Sequence, residues 1–191
     1  MYKKFYKGMI EVIVGPMFSG KSDELLKRIR ILKYAKIKTL IVKHSFDKRF
    51  STDKIISRTG AEIKAFSVSN AEEIEELFLK DKYKAIAIDE AQFFDKNLIK
   101  FISQKADEGI RVLVSGLDMN YLREPFGIMP YILSIAENIT KLQAICLKCY
   151  NAASTSFRKI PDKNLNMLGD KDEYEARCRR CFVESFSKTK K

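Results

Sequence analysis

The chain has 191 residues, 46% of them hydrophobic and 32% charged, with a formal net charge of +11 at pH 7. That apolar content can bury a substantial core, which excludes a disordered chain and leaves room for one domain with a small appendage. No apolar run reaches the roughly 18 residues that span a bilayer, and the N-terminus lacks the apolar stretch of a signal peptide, so a cytoplasmic protein without a membrane partner is expected. The basic excess is spread over Lys-rich stretches and gathered at the ends, in Tyr2-Lys3-Lys4 and Lys188-Thr189-Lys190-Lys191. It suits a solvating surface, or small polyanions such as nucleotides, as well as it suits a nucleic-acid polymer.

Met9-Ile10-Glu11-Val12-Ile13-Val14 reads as a strand. Directly after it, Gly15-Pro16-Met17-Phe18-Ser19-Gly20-Lys21-Ser22 completes the pattern G-x-x-x-x-G-K-[ST]. The glycines let successive backbone N–H groups converge on phosphate oxygens, while Lys21 supplies a point charge and Ser22 a hydroxyl for Mg²⁺. Leu25, Leu26, Ile29, Ile31 and Leu32 then recur at helical spacing, so residues 23–36 form a helix whose N-terminus favours the phosphate. A chance glycine-rich turn is the plain alternative, and the strand before and helix after argue against it.

Further strands are expected at 39–42, 62–66, 85–88, 111–114 and 142–145, alternating with helices. Ser69-Asn70-Ala71-Glu72 carries a capping-box signature that opens a helix running to Leu79, and residues 95–106 form another that stops at Gly109. Apolar strands alternating with helices imply an α/β fold, a parallel sheet flanked by helices on both faces. Two stretches resist the pattern. Residues 44–60 have no clear period and read as a long functional or mobile loop that includes His44. Residues 117–130 follow the fifth strand, where loops at the carboxyl ends of parallel strands line a ligand crevice.

All four cysteines lie in the last quarter of the chain, as Cys146-Leu147-Lys148-Cys149 and Cys178-Arg179-Arg180-Cys181. In a reducing compartment two such pairs complete a tetrahedral, structural Zn²⁺ shell; independent buried thiols are the alternative. The long connection between the pairs must bulge out and can carry a role of its own. The sequence thus divides into a phosphate-loop domain over 1–144 and a zinc-bearing domain with a basic tail over 145–191.

Ile86-Ala87-Ile88-Asp89-Glu90 is an apolar strand ending in two carboxylates. Asp89 can hold the Mg²⁺ shell and Glu90 can take a proton from whatever attacks the γ-phosphate; two solvated carboxylates in a turn are the alternative. Water as nucleophile would make an ATPase, and a substrate hydroxyl a kinase. Asp89-Glu90-Ala91-Gln92 also suits a nucleic-acid translocase, but the chain has room for a single sheet and lacks an aromatic, Arg-rich surface for tracking a strand.

In succession these motifs resemble the thymidine kinase family of the cellular type. The phosphate loop matches residue for residue, including Met17 and Phe18. Asp47-Lys48-Arg49-Phe50 resembles the family's D-x-R-[YF], Asp89 through Phe94 its D-E-[AG]-Q-F-F, and 117–127 its L-D-x-x-[FY]-x-x-x-P-F-G. The cysteine pairs with Tyr174 match its zinc ribbon. The resemblance implies a phosphate-loop NTPase-type core with a small C-terminal zinc-ribbon and lasso domain. It implies transfer of the γ-phosphoryl of ATP to the 5′-hydroxyl of thymidine, and more weakly of deoxyuridine, with Glu90, Lys21 and Arg49 as catalytic residues. Gly15 to Ser22, Asp47 to Arg49 and Asp89 to Gln92 (with Ala91) would form the ATP and Mg²⁺ site. Met17, Phe93, Leu117, Tyr121, Ser156, Leu165, Asn166, Met167, Leu168, Gly169 and Tyr174 would bind the nucleoside. Cys146, Cys149, Cys178 and Cys181 would hold Zn²⁺. Ser156 stands where the family generally has Thr, and Tyr121 where Phe is common. Homotetramers, inhibition by thymidine triphosphate and no nucleic-acid polymer as partner are inherited expectations. A phosphate-loop ATPase acting on nucleic acid, and a zinc-ribbon binding module with a structural ATP site, are the competing readings.

Overall fold

A computed structural model describes residues 8–47, 51, 53–161 and 164–189, with side chains to residue 185. The chain begins with β1 (Met9–Val14), the phosphate loop and α1 (Lys21–Tyr34), followed by β2 (Thr39–His44). A hairpin of β3 (Lys54–Ile56) and β4 (Glu62–Lys64) leads into β5 (Phe66–Val68) and α2 (Ala71–Leu79). Then come β6 (Ala85–Asp89), a 3₁₀ turn at Ala91–Phe93, α3 (Asn97–Asp107), β7 (Arg111–Gly116), α4 (Met129–Ile135) and β8 (Asn138–Lys141). Six strands form one parallel sheet in the order β5-β2-β6-β7-β1-β8.

Strand alternation divides the core between the two faces. Ile10, Val12, Val14, Ile86, Ile88, Val112 and Val114 face Ile74 of α2, Leu98 and Ile102 of α3, and Met129 and Ile132 of α4. Ile13, Ala85, Ala87 and Leu113 face Leu25, Leu26, Ile29 and Leu32 of α1. Each of those four helix side chains is buried, a contribution of about 1.5–3 kcal/mol apiece, so α1 cannot shift without moving the loop it follows. Glu11 is a buried carboxylate in β1. It is tolerated because Arg28 donates to it at 3.0 Å and Arg111 also hydrogen-bonds it.

After β8 the chain builds a small unit from β9 (Ala144–Ile145), β10 (Ala152–Ala153), β11 (Thr155–Arg158), β12 (Tyr174–Arg177) and α5 (Arg179–Thr189). β9 pairs antiparallel with β10, and β11 with β12. Its buried cluster is small, Ala144, Cys146, Ala153, Ala176 and Cys181, against which Phe18 of the phosphate loop packs.

The expected elements need four corrections. The strand anticipated at 62–66 is two: β4 pairs antiparallel with β3, while β5 joins the main sheet. Exposed Glu62 and Lys64 mark the first part as hairpin surface, and the Ala65 N–H donates to Asp53 O at 2.9 Å where the chain turns. The sixth strand is Asn138–Lys141 instead of 142–145, because an edge strand paired only with β1 carries polar residues. The cap of α2 lies one residue later than expected: Asn70 Oδ1 accepts from the Glu73 N–H at 2.9 Å, and Glu73 accepts from the Ser69 N–H at 3.0 Å. Finally, His44 ends β2, stacked edge-on against Phe94 at 4.6 Å, and part of 44–60 forms β3 instead of loop.

Candidate active site

All six parallel strands end on one edge of the sheet, which collects the phosphate loop after β1, Asp47 beyond β2, Asp89 at the tip of β6 and the segment after β7. The loop is a tight cradle. At Gly15, with φ of +149°, a Cβ would come within 2.5 Å of Leu142 O, and Gly20 adopts the left-handed conformation just before α1. Lys21 Nζ arcs back to donate to Pro16 O at 2.8 Å. The buried Ser19 hydroxyl has no hydrogen-bond partner among the described residues. A tight glycine-bearing loop, an orphaned hydroxyl and a helix N-terminus fit a phosphate chain.

Two strands away, Asp89 is buried and accepts from the Glu90 N–H at 3.0 Å. Burial, then the charge of Glu90, pushes its carboxyl up to about 7. Glu90 itself takes a left-handed backbone, with φ of 56°, which turns its side chain off the strand line. Gln92 holds it there. Its amide donates to Glu90 Oε2 at 2.5 Å and accepts from the Leu117 N–H at 3.0 Å, so the buried side chain bolts the carboxylate to the end of β7.

Ser22, Asp47, Asp89 and Glu90 line a cavity of about 30 Å³ together with Lys43, a residue the motif reading passed over. Lys43 pairs in register with Asp89 across the sheet, is buried, and donates to Ser51 O at 2.5 Å with Asp47 at 3.7 Å. It therefore ties the segment after β2 to the strand-tip carboxylates. Oxygen donors of this kind suit a hard divalent cation carried on a nucleotide.

A second cavity of about 110 Å³ lies alongside. Every residue expected to bind the nucleoside lines it: Met17, Phe93, Leu117, Tyr121, Ser156, Leu165 to Gly169 and Tyr174. Lys21, Ser22 and Glu90 complete its floor. The Ser156 hydroxyl accepts from the buried Met17 N–H at 3.0 Å, so β11 is tied directly to the phosphate loop. Of the other expected site residues, Gly15, Pro16 and Ala91 are buried supports, and Lys48 and Arg49 lie outside the described residues. Arg58, from the β3–β4 hairpin, also lines the cavity. It stacks over Phe18 at 4.2 Å and pairs with Asp170, while neighbouring Thr59 donates to Asp23 at 2.6 Å. No motif flagged it, because its partners are far away in sequence.

In the small unit the four cysteine sulfurs lie within 4.8 Å of one another, with Cys149 and Cys178 at 3.6 Å. Around a tetrahedral thiolate-bound metal the sulfurs stand about 3.8 Å apart, so the group can hold one ion. Burial opposes ionisation of Cys146, but N–H groups of Cys178, Lys148 and Cys149 outweigh it and bring the thiol down to about 6. Among the described residues, no helix is long and apolar enough to cross a membrane.

A phosphate loop with paired carboxylates on one side, and a cavity of mixed apolar and polar lining on the other, defines a phosphate-loop kinase for a small organic acceptor. Residues 8–182 match the family model for thymidine kinase. The chain is 58% identical over 181 residues to "Thymidine kinase" of Mesomycoplasma hyopneumoniae (strain 7448), covering 95% of this chain and 98% of that one. It is 58% identical to that of Metamycoplasma arthritidis, covering 95% and 93% of the two chains, and 42% identical to that of Porphyromonas gingivalis (strain W83), covering 92% and 85%. The chain belongs to the thymidine kinase family, and is accordingly a nucleoside kinase that phosphorylates thymidine. Among solved structures it aligns with the Legionella pneumophila ATPase DotB at a TM-score of 0.49 and 16% identity, over 78% of this chain and 44% of that one. It aligns with the genome packaging NTPase B204 of Sulfolobus turreted icosahedral virus 2 at 0.47 and 21%, over 71% and 74%. Likenesses that weak say nothing of activity.

Proposed function

We propose that this protein transfers the γ-phosphoryl of Mg-ATP to the 5′-hydroxyl of thymidine, with Glu90 as the general base. One observation carries the reading: Glu90 and Ser22 line both cavities, which supports a carboxylate between a nucleotide's phosphate chain and a bound acceptor. Gly15 to Gly20 cradle the phosphates, Lys21 reaches the β- and γ-oxygens, and Ser22, Asp89 and Asp47 supply oxygen donors for Mg²⁺, which would neutralise charge on the transferring group. Ala91 and Gln92 support that set from behind, and Lys48 and Arg49 would approach the same phosphates from the segment after Asp47. With Gln92 fixing its direction, Glu90 accepts the acceptor hydroxyl's proton as the oxygen attacks; little other covalent work falls to the protein.

Met17, Phe93, Leu117, Tyr121, Ser156 and Tyr174 would enclose the base, with 165–169 folded over it as a lasso. Distinguishing thymidine from deoxyuridine rests on one methyl in an apolar pocket, worth about 1–3 kcal/mol, so deoxyuridine is the poorer substrate. Cys146, Cys149, Cys178 and Cys181 would hold a structural Zn²⁺ at the base of the lasso, making 145–191 a substrate-binding unit appended to a nucleotide-binding domain over 1–144. Thymidine triphosphate as a feedback inhibitor, a homotetramer and a cytoplasmic location belong to the same proposal.

The test is transfer of labelled γ-phosphate to thymidine, deoxyuridine, deoxycytidine and the purine deoxynucleosides, with Glu90→Gln beside the wild type. Thymidine should lead, and the variant should lose about 10²–10⁴ in kcat. No transfer to any nucleoside, together with DNA-stimulated hydrolysis of ATP, would replace this reading with that of a nucleic-acid ATPase.

A further inference from the structure

Arg158, the last residue of β11, has no part in the site assigned above, yet its bonds are concentrated on it. The side chain is 8% exposed. Nε and Nη2 donate to the Tyr174 hydroxyl at 3.0 and 2.7 Å, Nη1 to Asn164 O at 2.7 Å, and Nη2 to Leu165 O at 3.2 Å. The guanidinium lies 3.6 Å from the centre of the Tyr121 ring. The Tyr174 hydroxyl in turn donates to Met167 O at 2.9 Å. Tyr121, Tyr174 and 165–169 all line the acceptor cavity, and Arg158 stands behind them.

We infer that Arg158 is a positioning and specificity-determining residue that fixes the polarity of the lasso. In a trans peptide the N–H of one residue opposes the C=O of the residue before it. Holding the carbonyls of Asn164 and Leu165, and through Tyr174 that of Met167, therefore aims the N–H groups of Leu165, Asn166 and Leu168 away from the anchor. The backbone over the base is thereby offered as donors. A keto pyrimidine, with acceptors on its edge, meets those donors; an amino pyrimidine presents a donor of its own and is rejected. Only a planar fork with several fixed N–H groups can hold two carbonyls and a hydroxyl while stacking on a ring, so lysine is no substitute. This inference rests on the thymidine-phosphorylating reading above.

The experiment uses full-length, metal-loaded wild type, Arg158→Lys, Arg158→Gln and Tyr174→Phe. It measures kcat and KM for thymidine, deoxycytidine and ATP, and hydrogen exchange over 164–169 without nucleoside. Both Arg158 variants should raise the thymidine KM by about tenfold or more, the effect of losing a charge-assisted hydrogen bond. Their kcat and ATP KM should hold, the pattern of lost uniform binding. The preference for thymidine over deoxycytidine should narrow, and 164–169 should exchange faster while the phosphate loop does not. Tyr174→Phe keeps the ring, removes the relay to Met167 and the acceptor of two Arg158 bonds, but leaves Arg158 on the carbonyls of Asn164 and Leu165, so it should move the same quantities less, and it carries the test alone if the Arg158 variants do not fold. An unchanged thymidine KM, equal losses for both nucleosides, or unchanged exchange over 164–169 would overturn the inference while leaving the kinase reading intact. A wild type that phosphorylates no nucleoside would overturn both.

Discussion

Replacing Gln92 by methionine keeps the side chain's length and burial but deletes the amide that joins Glu90 to β7. Two losses follow. The partly buried Leu117 N–H, which donates to Gln92 Oε1 at 3.0 Å, is left without its acceptor, at a cost of about 1–3 kcal/mol. The charge-assisted bond to Glu90 Oε2 at 2.5 Å is also gone, a loss of about 1.5–3 kcal/mol. The two share one side chain and are not fully additive, so a total of about 2–5 kcal/mol is expected. At roughly 2–4 °C per kcal/mol for a chain of this size, the melting temperature should fall by about 4–20 °C. Freed from its partner, Glu90 should also cost about 10–100-fold in kcat, as a misplaced base does. Differential scanning calorimetry and steady-state kinetics on the same preparation read both effects. Gly116→Ala is an independent check, since its Cβ would lie 2.7 Å from the same Oε1 and should disturb the same amide. A Gln92→Met protein that melts within a degree of wild type, with unaltered kcat, would refute the argument that this amide orients the base.

Ser156→Ala strips the acceptor from the buried Met17 N–H and should cost about 1–3 kcal/mol in thermal unfolding, with Ser156→Thr restoring it; equal stability of all three would show that β11 is not tied to the loop through this bond. Asp89 gives a pH dependence with a definite sign. Its carboxyl sits near 7 when folded against an ordinary 3.8, so the unfolded chain ionises first. The nucleotide-free protein should therefore lose stability as pH rises from about 4 to about 7 and level off above, while stabilisation by Mg-ATP grows over the same window; Asp89→Asn should flatten the profile, and a wild type with no slope in that window would contradict it. With the four cysteines holding a structural ion as proposed, chelation should abolish hydrogen-exchange protection over 144–158 and 174–182 while the six-stranded sheet stays protected, because the small unit's buried cluster is slight; retained protection there in zinc-free protein would rule out a structural ion.

The phosphate loop, the strand-tip carboxylates and the cysteine pairs were legible because each is contiguous and its chemistry demands particular residues at fixed spacing. Buried strands such as β1, β6 and β7 announced themselves as apolar runs. β8 did not, since Asn138, Thr140 and Lys141 on an exposed edge read as loop, and the neighbouring apolar residues 142–145 drew the assignment instead. The short α4 and the polar α5 carried too few apolar repeats to register. Within the site, residues defined by long-range partners were invisible: Arg58 meets Asp170, Lys43 stands in register with Asp89 on the neighbouring strand, and Arg158 meets a loop that no periodicity predicts. Family resemblance supplied the residues proposed to bind the nucleoside, all of which line one cavity, although side-chain types alone would have left Phe93 and Tyr121 as core aromatics.

The place of β1 in the sheet has a consequence for how the molecule is made. Its two neighbours are β7 and β8, so Met9 pairs with Arg111 and Glu11 with Asn138. During synthesis the first strand to leave the ribosome thus has no partner until more than half the chain has followed it, while β2, β5 and β6 can already associate. The phosphate loop hangs from that waiting strand and rests on Leu142 and Ser156, later still. Such non-local pairing is slow, and nucleotide-binding competence should appear only near the end of folding. A nascent fragment that ends before β7 would therefore offer ATP no preformed site.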